Sequence, residues 1–349
     1  MAKTTMETTN ALRVQVWKKK LFEDAKIASF FMGFSGKTAN DYSQVIQIDS
    51  DLTKGEGDKM TFGMVPKLSG DGITGGQTLE GNEEALTDYD FSVELEQYRH
   101  AVRDKGKLVA KRPIYDMRAV AKEKLKIWSA EKMDRLAFDT AKTAVSKVYF
   151  NTGSAIGYYA NSLANAKTAI TATGKLTGRM LTKMSTAAST GWNRTQTPLK
   201  KIMIGSREVY LVVIHPDGMD DLFNDATFQQ SFREAHQRGN DNPLFKGMET
   251  YFWKDCCIVA HELAPIFTDG GADANVAGLQ GFFMGAQSLV WAWGQPLNVV
   301  KKMFDYDNEV GYAVDWISKC AVPTFNSLNY GMFNFVAART QISDESATA

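Results

Sequence analysis

The sequence predicts an α+β protein whose strands pair across long separations in the chain. Three observations carry that prediction. Apolar residues alternate with a period of two in the Gln44–Ile48, Asp58–Pro66 and Tyr89–Leu95 segments. A helical spacing then starts at Pro113 and persists for about 30 residues, roughly 45 Å of rod at 1.5 Å per residue. Finally, Ala274–Val300 and Cys320–Ala338 carry no charge, yet Gln280, Gln287, Gln295, Pro296, Asn298, Asn326, Asn329 and Asn334 interrupt them. Both stretches read as buried strands and not as membrane spans.

The chain has 349 residues, with 40 Lys plus Arg against 40 Asp plus Glu. A chain of this length exceeds one ordinary compact domain, so two lobes or one large domain with extensions are expected. Zero net charge supplies no long-range attraction to nucleic acid, membranes or acidic substrates, and it permits self-association. Cys256, Cys257 and Cys320 are too few and too badly spaced for a disulfide scaffold. The segment following Met1 is polar and Thr-rich, without the apolar core of a secretion signal, so cytoplasmic synthesis is expected.

In chain order, Leu12, Val16, Trp17 and Leu21 suggest a short amphipathic helix, which either docks on its own domain or reaches a neighbouring subunit as an arm. The strands at 58–66 and 89–95 flank the glycine-rich run Ser69–Gly81, which makes a long β-hairpin. Such a hairpin buries little by itself and needs cover. The long helix runs over 113–144, with Pro113 in its first turn and Ile114, Met117, Ala121, Leu125, Trp128 and Leu136 on one face. A second helix is predicted from Thr177 as cap through Ala188, with a loop over 191–198. Strands follow at Lys201–Ile204 and Glu208–Ile214, then helices at Asp217–Phe223 and Thr227–His236. The last third supplies strands at Cys256–His261, Gly281–Met284, Leu289–Trp293, Val310–Ile317 and Met332–Ala337.

Motifs for chemistry are missing or incomplete. No glycine cluster is followed by the Lys-Ser/Thr of a phosphate loop. His261-Glu262 lacks the second histidine of a zinc protease, and Cys256, Cys257 and His261 on one strand cannot converge tetrahedrally. Asp305-Tyr-Asp-Asn-Glu309 is acidic, but Gly311 comes one place late for a calcium loop, so a solvated turn is the reading. Ser129-Ala-Glu-Lys132 sits in mid-helix without its partner motifs. No catalytic residue, metal or cofactor is expected.

Charge is segregated despite the neutral total. Leu68–Tyr98 holds eight acidic residues and no Lys or Arg, whereas residues 101–150 hold 13 Lys or Arg against six acids. Ordinary solvated faces explain this equally well. The functional alternative lays the acidic hairpin of one subunit, through Glu80, Glu83, Glu84 and Asp88, across the basic helix of the next, through Lys122, Lys124, Lys126 and Lys132, with Trp17 contributing from the arm. Exposed ion pairs are worth about 0 to 1 kcal/mol each, so they would set register more than strength. A dedicated DNA groove is disfavoured because Asp116, Glu123, Glu131, Asp134 and Asp139 interleave the positive charge.

Several strings resemble a known family. Leu52-Thr-Lys-Gly-Glu-Gly-Asp-Lys-Met-Thr-Phe-Gly63 and Leu79-Glu-Gly-Asn-Glu-Glu-Ala-Leu86 are similar to segments of the major capsid proteins of tailed double-stranded-DNA bacteriophages, in particular the family typified by the major capsid protein of phage N-four. The resemblance continues through Tyr89-Asp-Phe91, Arg99-His-Ala-Val-Arg103, Ile214-His-Pro216, Asn242-Pro-Leu-Phe-Lys-Gly247, Phe283-Met-Gly-Ala-Gln287 and Asp305-Tyr-Asp-Asn308. Two departures stand out: Lys254-Asp-Cys-Cys where a small turn is expected, and an inserted loop over 190–198.

The resemblance implies the Hong Kong 97-type capsid fold. Its parts would be an N-terminal arm (1–48), an extended hairpin loop (49–100), a peripheral domain (101–198) holding the spine helix, an axial domain (199–300), and return strands (301–349). It also implies hexamers and pentamers, a virion address, contact with packaged double-stranded DNA without base readout, and portal, scaffolding or decoration proteins as further partners. No covalent cross-linking chemistry carries over to a residue here. Two rivals remain open: an enzyme using His215 with Asp217 or Asp220, which requires a deep pocket, and a phage decoration or tail protein, which requires a compact β-rich unit without the long helix and hairpin.

Overall fold

The computed structural model describes residues 29–36, 43–50, 53, 57–65, 72–76, 78, 80–86, 88–106, 117–194, 197–204, 207–236, 250–306 and 308–340. The predicted arm helix with Trp17, the helix start at Pro113 and the string Asn242–Gly247 lie outside these residues. Contacts divide the chain into two compact units, one of residues 1–58, 94–143 and 289–322, the other of residues 59–93, 144–288 and 323–349.

The first unit is a helix packed on a four-stranded sheet. The sheet contains β1 (Ile46–Asp49), β4 (Glu96–Arg103), β13 (Leu289–Phe304) and β14 (Glu309–Ala321), in the order β1-β13-β14-β4. β1 runs parallel to β13 from Ile46 opposite Leu289 to Asp49 opposite Ala292. β13 and β14 form an antiparallel hairpin, and β4 pairs antiparallel with β14. Although Gln295, Pro296 and Asn298 were expected to end the strand at Trp293, β13 continues through them to Phe304. Irregular register around Gln295 gives Pro296 a place without a ladder donor. Asp315 ties the irregular stretch across the hairpin, accepting from Gln295 Nε2 at 3.2 Å and Asn298 Nδ2 at 3.0 Å.

The spine helix α1 (Met117–Lys142) is 26 residues long, about 39 Å at the standard rise. Leu125, Ser129, Ala130, Met133, Ala137, Phe138 and Ala141 are buried along it at three- and four-residue steps. Opposite them, alternate residues of β14, namely Val310, Tyr312, Val314, Trp316, Ser318 and Cys320, are buried. The rings interlock: Trp128 lies 5.5 Å from Trp316 and 4.6 Å from His100, and Tyr98 lies 5.5 Å from Trp316.

The second unit is built on a larger sheet containing β5 (Lys147–Asn151), β6 (Ile156–Ala160), β8 (Arg207–Ile214), β9 (Thr250–Trp253), β10 (Cys256–Ala260), β12 (Val276–Met284) and β17 (Met332–Ala338). Their order is β6-β5-β17-β12-β8-β10-β9; β7 (Ile202–Ile204) joins β8, and β11 (Ile266–Gly270) joins β12. Helices cover both faces. On one face Met180, Leu181, Met184 and Ala188 of α3 (Gly178–Arg194), Leu222 of α4 (Pro216–Phe223) and Phe228 of α5 (Ala226–His236) pack with Tyr210, Phe283, Phe333 and Phe335. On the other, Ala166 of α2 (Leu163–Ala169) packs with Val148, Ile170, Phe267 and Val336. Close approach requires small residues at the centre: a Cβ on Gly281 would come within 2.2 Å of the Phe335 ring.

Two expectations are corrected in this unit. The helix predicted to end at Ala188 runs on to Arg194, so residues 191–194 of the expected loop over 191–198 are helical. Lys254-Asp255 forms a tight turn joining β9 to β10, with Trp253 opposite Cys256. Lys254 adopts the left-handed conformation there, φ +52°, that a small residue was expected to supply.

Lys147, at the start of β5, is only 8% exposed, and burial lowers its pKa from 10.5 to about 8. The folded state therefore holds fewer protons than the unfolded chain between those values, so its burial cost is full below pH 8 and fades as pH rises to 10.5. Lys147→Met should stabilise this unit by roughly 2 to 3 kcal/mol at neutral pH. Chemical denaturation from pH 7 to 10.5 should show that advantage shrinking across the upper part of the range; a constant difference would refute the assignment.

Candidate assembly site

β2 (Lys59–Met64) and β3 (Tyr89–Glu94) form the predicted hairpin, a two-stranded sheet of their own. Its side chains explain why it needs cover. In the two strands only Met60 and Val93 are buried, while beyond them Val65 is 56% exposed and Leu86 69% exposed. Glycines turn the described part of the tip, with φ of +69° at Gly72, +78° at Gly75 and +84° at Gly81. Glu83 accepts from the Gly81 amide at 2.8 Å, and the Asn82 side chain donates to the Thr78 carbonyl at 3.1 Å. Glu80, Glu83, Glu84 and Asp88 are all exposed. The result is an acidic tip with an apolar residue, Leu86, in its middle.

The basic helix is less uniform than its composition suggested. At 100° per residue Lys124 points away from the Lys122 and Lys126 side of the helix. Lys122 lies over the Tyr312 ring at 5.1 Å and Lys132 over the Tyr98 ring at 5.7 Å, so both ammonium groups bend onto the sheet of their own unit. Lys124 is exposed and Lys126 half-buried. The four lysines thus do not form a single stripe.

Ion pairs guard the β4 edge of that sheet. Lys319 and Tyr98 both donate to Glu96, at 2.5 and 2.7 Å, and these hydrogen bonds hold the Glu96 carboxyl below its ordinary range. Arg103 pairs with Glu309 and stacks on Phe304, with its guanidinium 4.1 Å from the ring centroid.

A feature the sequence reading missed is how the segment from Ser29 to Phe34 is held to the spine helix. Asp134, counted there among the interleaved surface acids, is buried on α1 and receives three hydrogen bonds. They come from Ser29 Oγ at 2.6 Å, Phe30 N at 3.0 Å and Phe31 N at 3.1 Å. These hold the entry to a short 3-10 helix, Phe31–Phe34. Phe31 then packs edge-on to Phe138 at 4.7 Å, pinning this short segment to the helix.

The His-Asp pair behind the enzyme reading serves the fold. His215 caps α4, its Nδ1 accepting from the Asp217 amide at 3.3 Å. Asp217 is buried against the Arg339 guanidinium, and Asp221, one turn on, accepts from Thr340 N at 2.9 Å and pairs with Lys175 at 3.1 Å. Together they clamp the end of β17 to α4. Asp220 is exposed. Burial raises Cys256 to about 12, Cys257 to about 11 and Cys320 to about 12, values of inert thiols. Among the described residues no three His, Cys, Asp or Glu side chains gather as metal ligands. No described helix is long and apolar enough to cross a membrane.

Comparison with known proteins agrees with this geometry. The model of a family described as phage capsid protein matches residues 5–334. A major capsid protein of Pseudomonas phage KPP25 is 31% identical, over 93% of this chain and 94% of its own length. Among solved structures, the capsid of Ralstonia phage GP4 superposes with a TM-score of 0.73 at 22% identity, covering 90% of this chain and 92% of that one. The capsid of cyanophage Pam1 gives 0.71 at 20% identity, covering 90% and 93%. The fold is the Hong Kong 97-type capsid fold that the sequence led us to expect.

Replacing Asp134 with Ala leaves the buried Phe31 amide, the half-buried Phe30 amide and the Ser29 hydroxyl without this acceptor. The unit should lose about 2 to 4 kcal/mol in urea denaturation, and protease should cut the chain around Ser29 faster than in the unaltered protein. Unchanged stability and cutting would show that the Ser29–Phe34 segment is held by other contacts.

Proposed function

The chain belongs to the phage capsid protein family, and from that premise we propose that it builds the head shell of a tailed bacteriophage as hexamers and pentamers around the double-stranded DNA genome. Its work is structural and needs no catalytic site. On this reading the shell is made in the host cytoplasm, and the same subunit meets portal, scaffolding or decoration proteins where the shell requires them. The first unit corresponds to a peripheral lobe carrying the spine helix, and the large sheet of the second to an axial lobe.

One observation carries the assembly mechanism: a hairpin with two buried side chains in its strands, an exposed Leu86 and an acidic tip. Such an element has too little contact of its own to stay ordered in isolation. Docked on an adjacent subunit, it buries Val65 and Leu86 while Glu80, Glu83, Glu84 and Asp88 meet positive groups there. On the spine helix Lys124 is exposed and placed for this, whereas Lys122 and Lys132 lie over rings of their own sheet. The charges set register and orientation, and the apolar contacts supply most of the affinity.

Changing Glu80, Glu83 and Glu84 together to Lys should reduce shell yield at least several-fold while the subunit stays soluble and folded. Circular dichroism and negative-stain electron microscopy of the same preparation check both halves. Normal shells from the triple variant would exclude the acidic tip as a clasp.

A further inference from the structure

The two sheets treat their edges in opposite ways. In the first unit, β4 carries Glu96, Arg99 and Arg103 along eight edge residues, and β13 carries Pro296, Lys301 and Lys302 beyond the four residues that pair with β1. Charges, proline and irregular register are the usual devices that keep a strand from pairing with another chain. β6, one of the two terminal strands of the large sheet, has none of them in its own sequence. From Val148 to Ala166 there is no Asp, Glu, Lys, Arg or Pro.

The register of β6 shows which of its groups are on offer. Asn161 N donates to Ser146 O and Thr152 N to Ala155 O, so the pairs 146/161 and 152/155 are hydrogen-bonded. In an antiparallel ladder every second pair is bonded, so 148/159 and 150/157 are too. Gly157 and Tyr159 therefore point their backbone groups at β5, while Ile156, Tyr158 and Ala160 point theirs outward. Lys183 already donates to the Ile156 carbonyl. The outward groups of Tyr158 and Ala160 have no such cover among the described residues.

Side chains reinforce the offer. Tyr158 is 53% exposed and Tyr159 38% exposed, on opposite faces of the strand. They are held in place from behind: Tyr159 stacks on Phe150 at 4.9 Å, and Tyr158 lies 5.6 Å from Tyr149. Gly157 makes room for this, because a Cβ there would meet the Phe150 ring at 2.6 Å. Beyond the Lys183 ammonium at Ile156, the edge at Tyr158 and Ala160 is thus a preformed strip with no charge in its own sequence and an aromatic ring on either side.

We propose that the outer edge of β6 is a contact between copies of this chain, accepting an extended segment of a neighbouring subunit by main-chain pairing at Tyr158 and Ala160. Membership of a shell-building family identifies the occupant as a second copy, and an edge without charge suits a partner bound by backbone hydrogen bonds and aromatic cover. The contact does not depend on where the acidic hairpin docks.

Hydrogen exchange read by mass spectrometry tests this on the full chain, comparing assembled particles with soluble subunits. Exchange of the Thr152–Leu163 segment should slow on the order of tenfold or more on assembly; equal exchange in both forms overturns the proposal. Two variants act on the edge itself. Ala160→Pro removes one outward amide and leaves the ladder to β5 intact, and Tyr158→Lys installs the missing guard charge. Either should cut particle yield at least several-fold, while Ala160→Ser, which keeps the amide, assembles normally. If Ala160→Pro fails to fold, Tyr158→Lys decides alone, and normal particles from a folded Tyr158→Lys variant reject the contact. Loss of assembly in the Glu80, Glu83, Glu84 variant with no effect here would uphold the hairpin clasp and remove only the β6 contact.

Discussion

Packing of Trp316 between Trp128 of the spine helix and Tyr98 of β4 is the contact on which the first unit depends. It joins three segments separated by as many as 218 residues of chain, so neither helix nor sheet can settle before the chain's last quarter has arrived. Trp316 is wholly buried, and large aromatic burial of this kind is worth about 3 to 5 kcal/mol when truncated to alanine. The helix it positions carries further contacts: Lys122 and Lys132 reach down to rings of the same sheet, and Asp134, one turn beyond Ala130, holds Ser29, Phe30 and Phe31.

Among the described residues, the cores are closed by aromatic packing, and exposed apolar side chains lie outside them. The interior rings of the large sheet are stacked, as with Phe283 and Phe333 at 4.6 Å, and the His215, Asp217 and Arg339 groups are consumed in holding β17 to α4. Among the described residues, the hairpin with its exposed Val65 and Leu86 and the β6 edge at Tyr158 and Ala160 are two places with such exposure. Both are liabilities for a solitary protein. On the reading proposed above, each becomes an intersubunit contact in a shell, and assembly then stabilises elements that the single chain leaves exposed.

The strands of the hairpin, the spine helix, β8, α4 and α5 were legible because each has a clear period and a clear end: alternation in Tyr89–Glu94, and Pro216 opening α4. Other elements lacked that signal for physical reasons. β4 is exposed at nearly every position, so Glu96–Arg103 shows no alternation. β5 is covered on both faces, which removes alternation in the opposite way. α2 has seven residues, and its signal was the Ser162 cap, whose hydroxyl accepts from Asn165 N at 3.1 Å. The candidate surfaces divide similarly. Acidic hairpin and basic helix were visible as composition, but the cation-ring contacts of Lys122 and Lys132 depend on tertiary neighbours. Asp134 was misread because its partners lie 103 to 105 residues away.

The central claim is that this chain closes on copies of itself to make a shell. Electron microscopy combined with size-exclusion chromatography of the chain expressed alone tests it most directly. Icosahedral particles, or rings of five and six subunits, are the predicted result. A monodisperse monomer at every concentration, with the hairpin protected from protease, would contradict it, because the hairpin would then have found its cover without a neighbour.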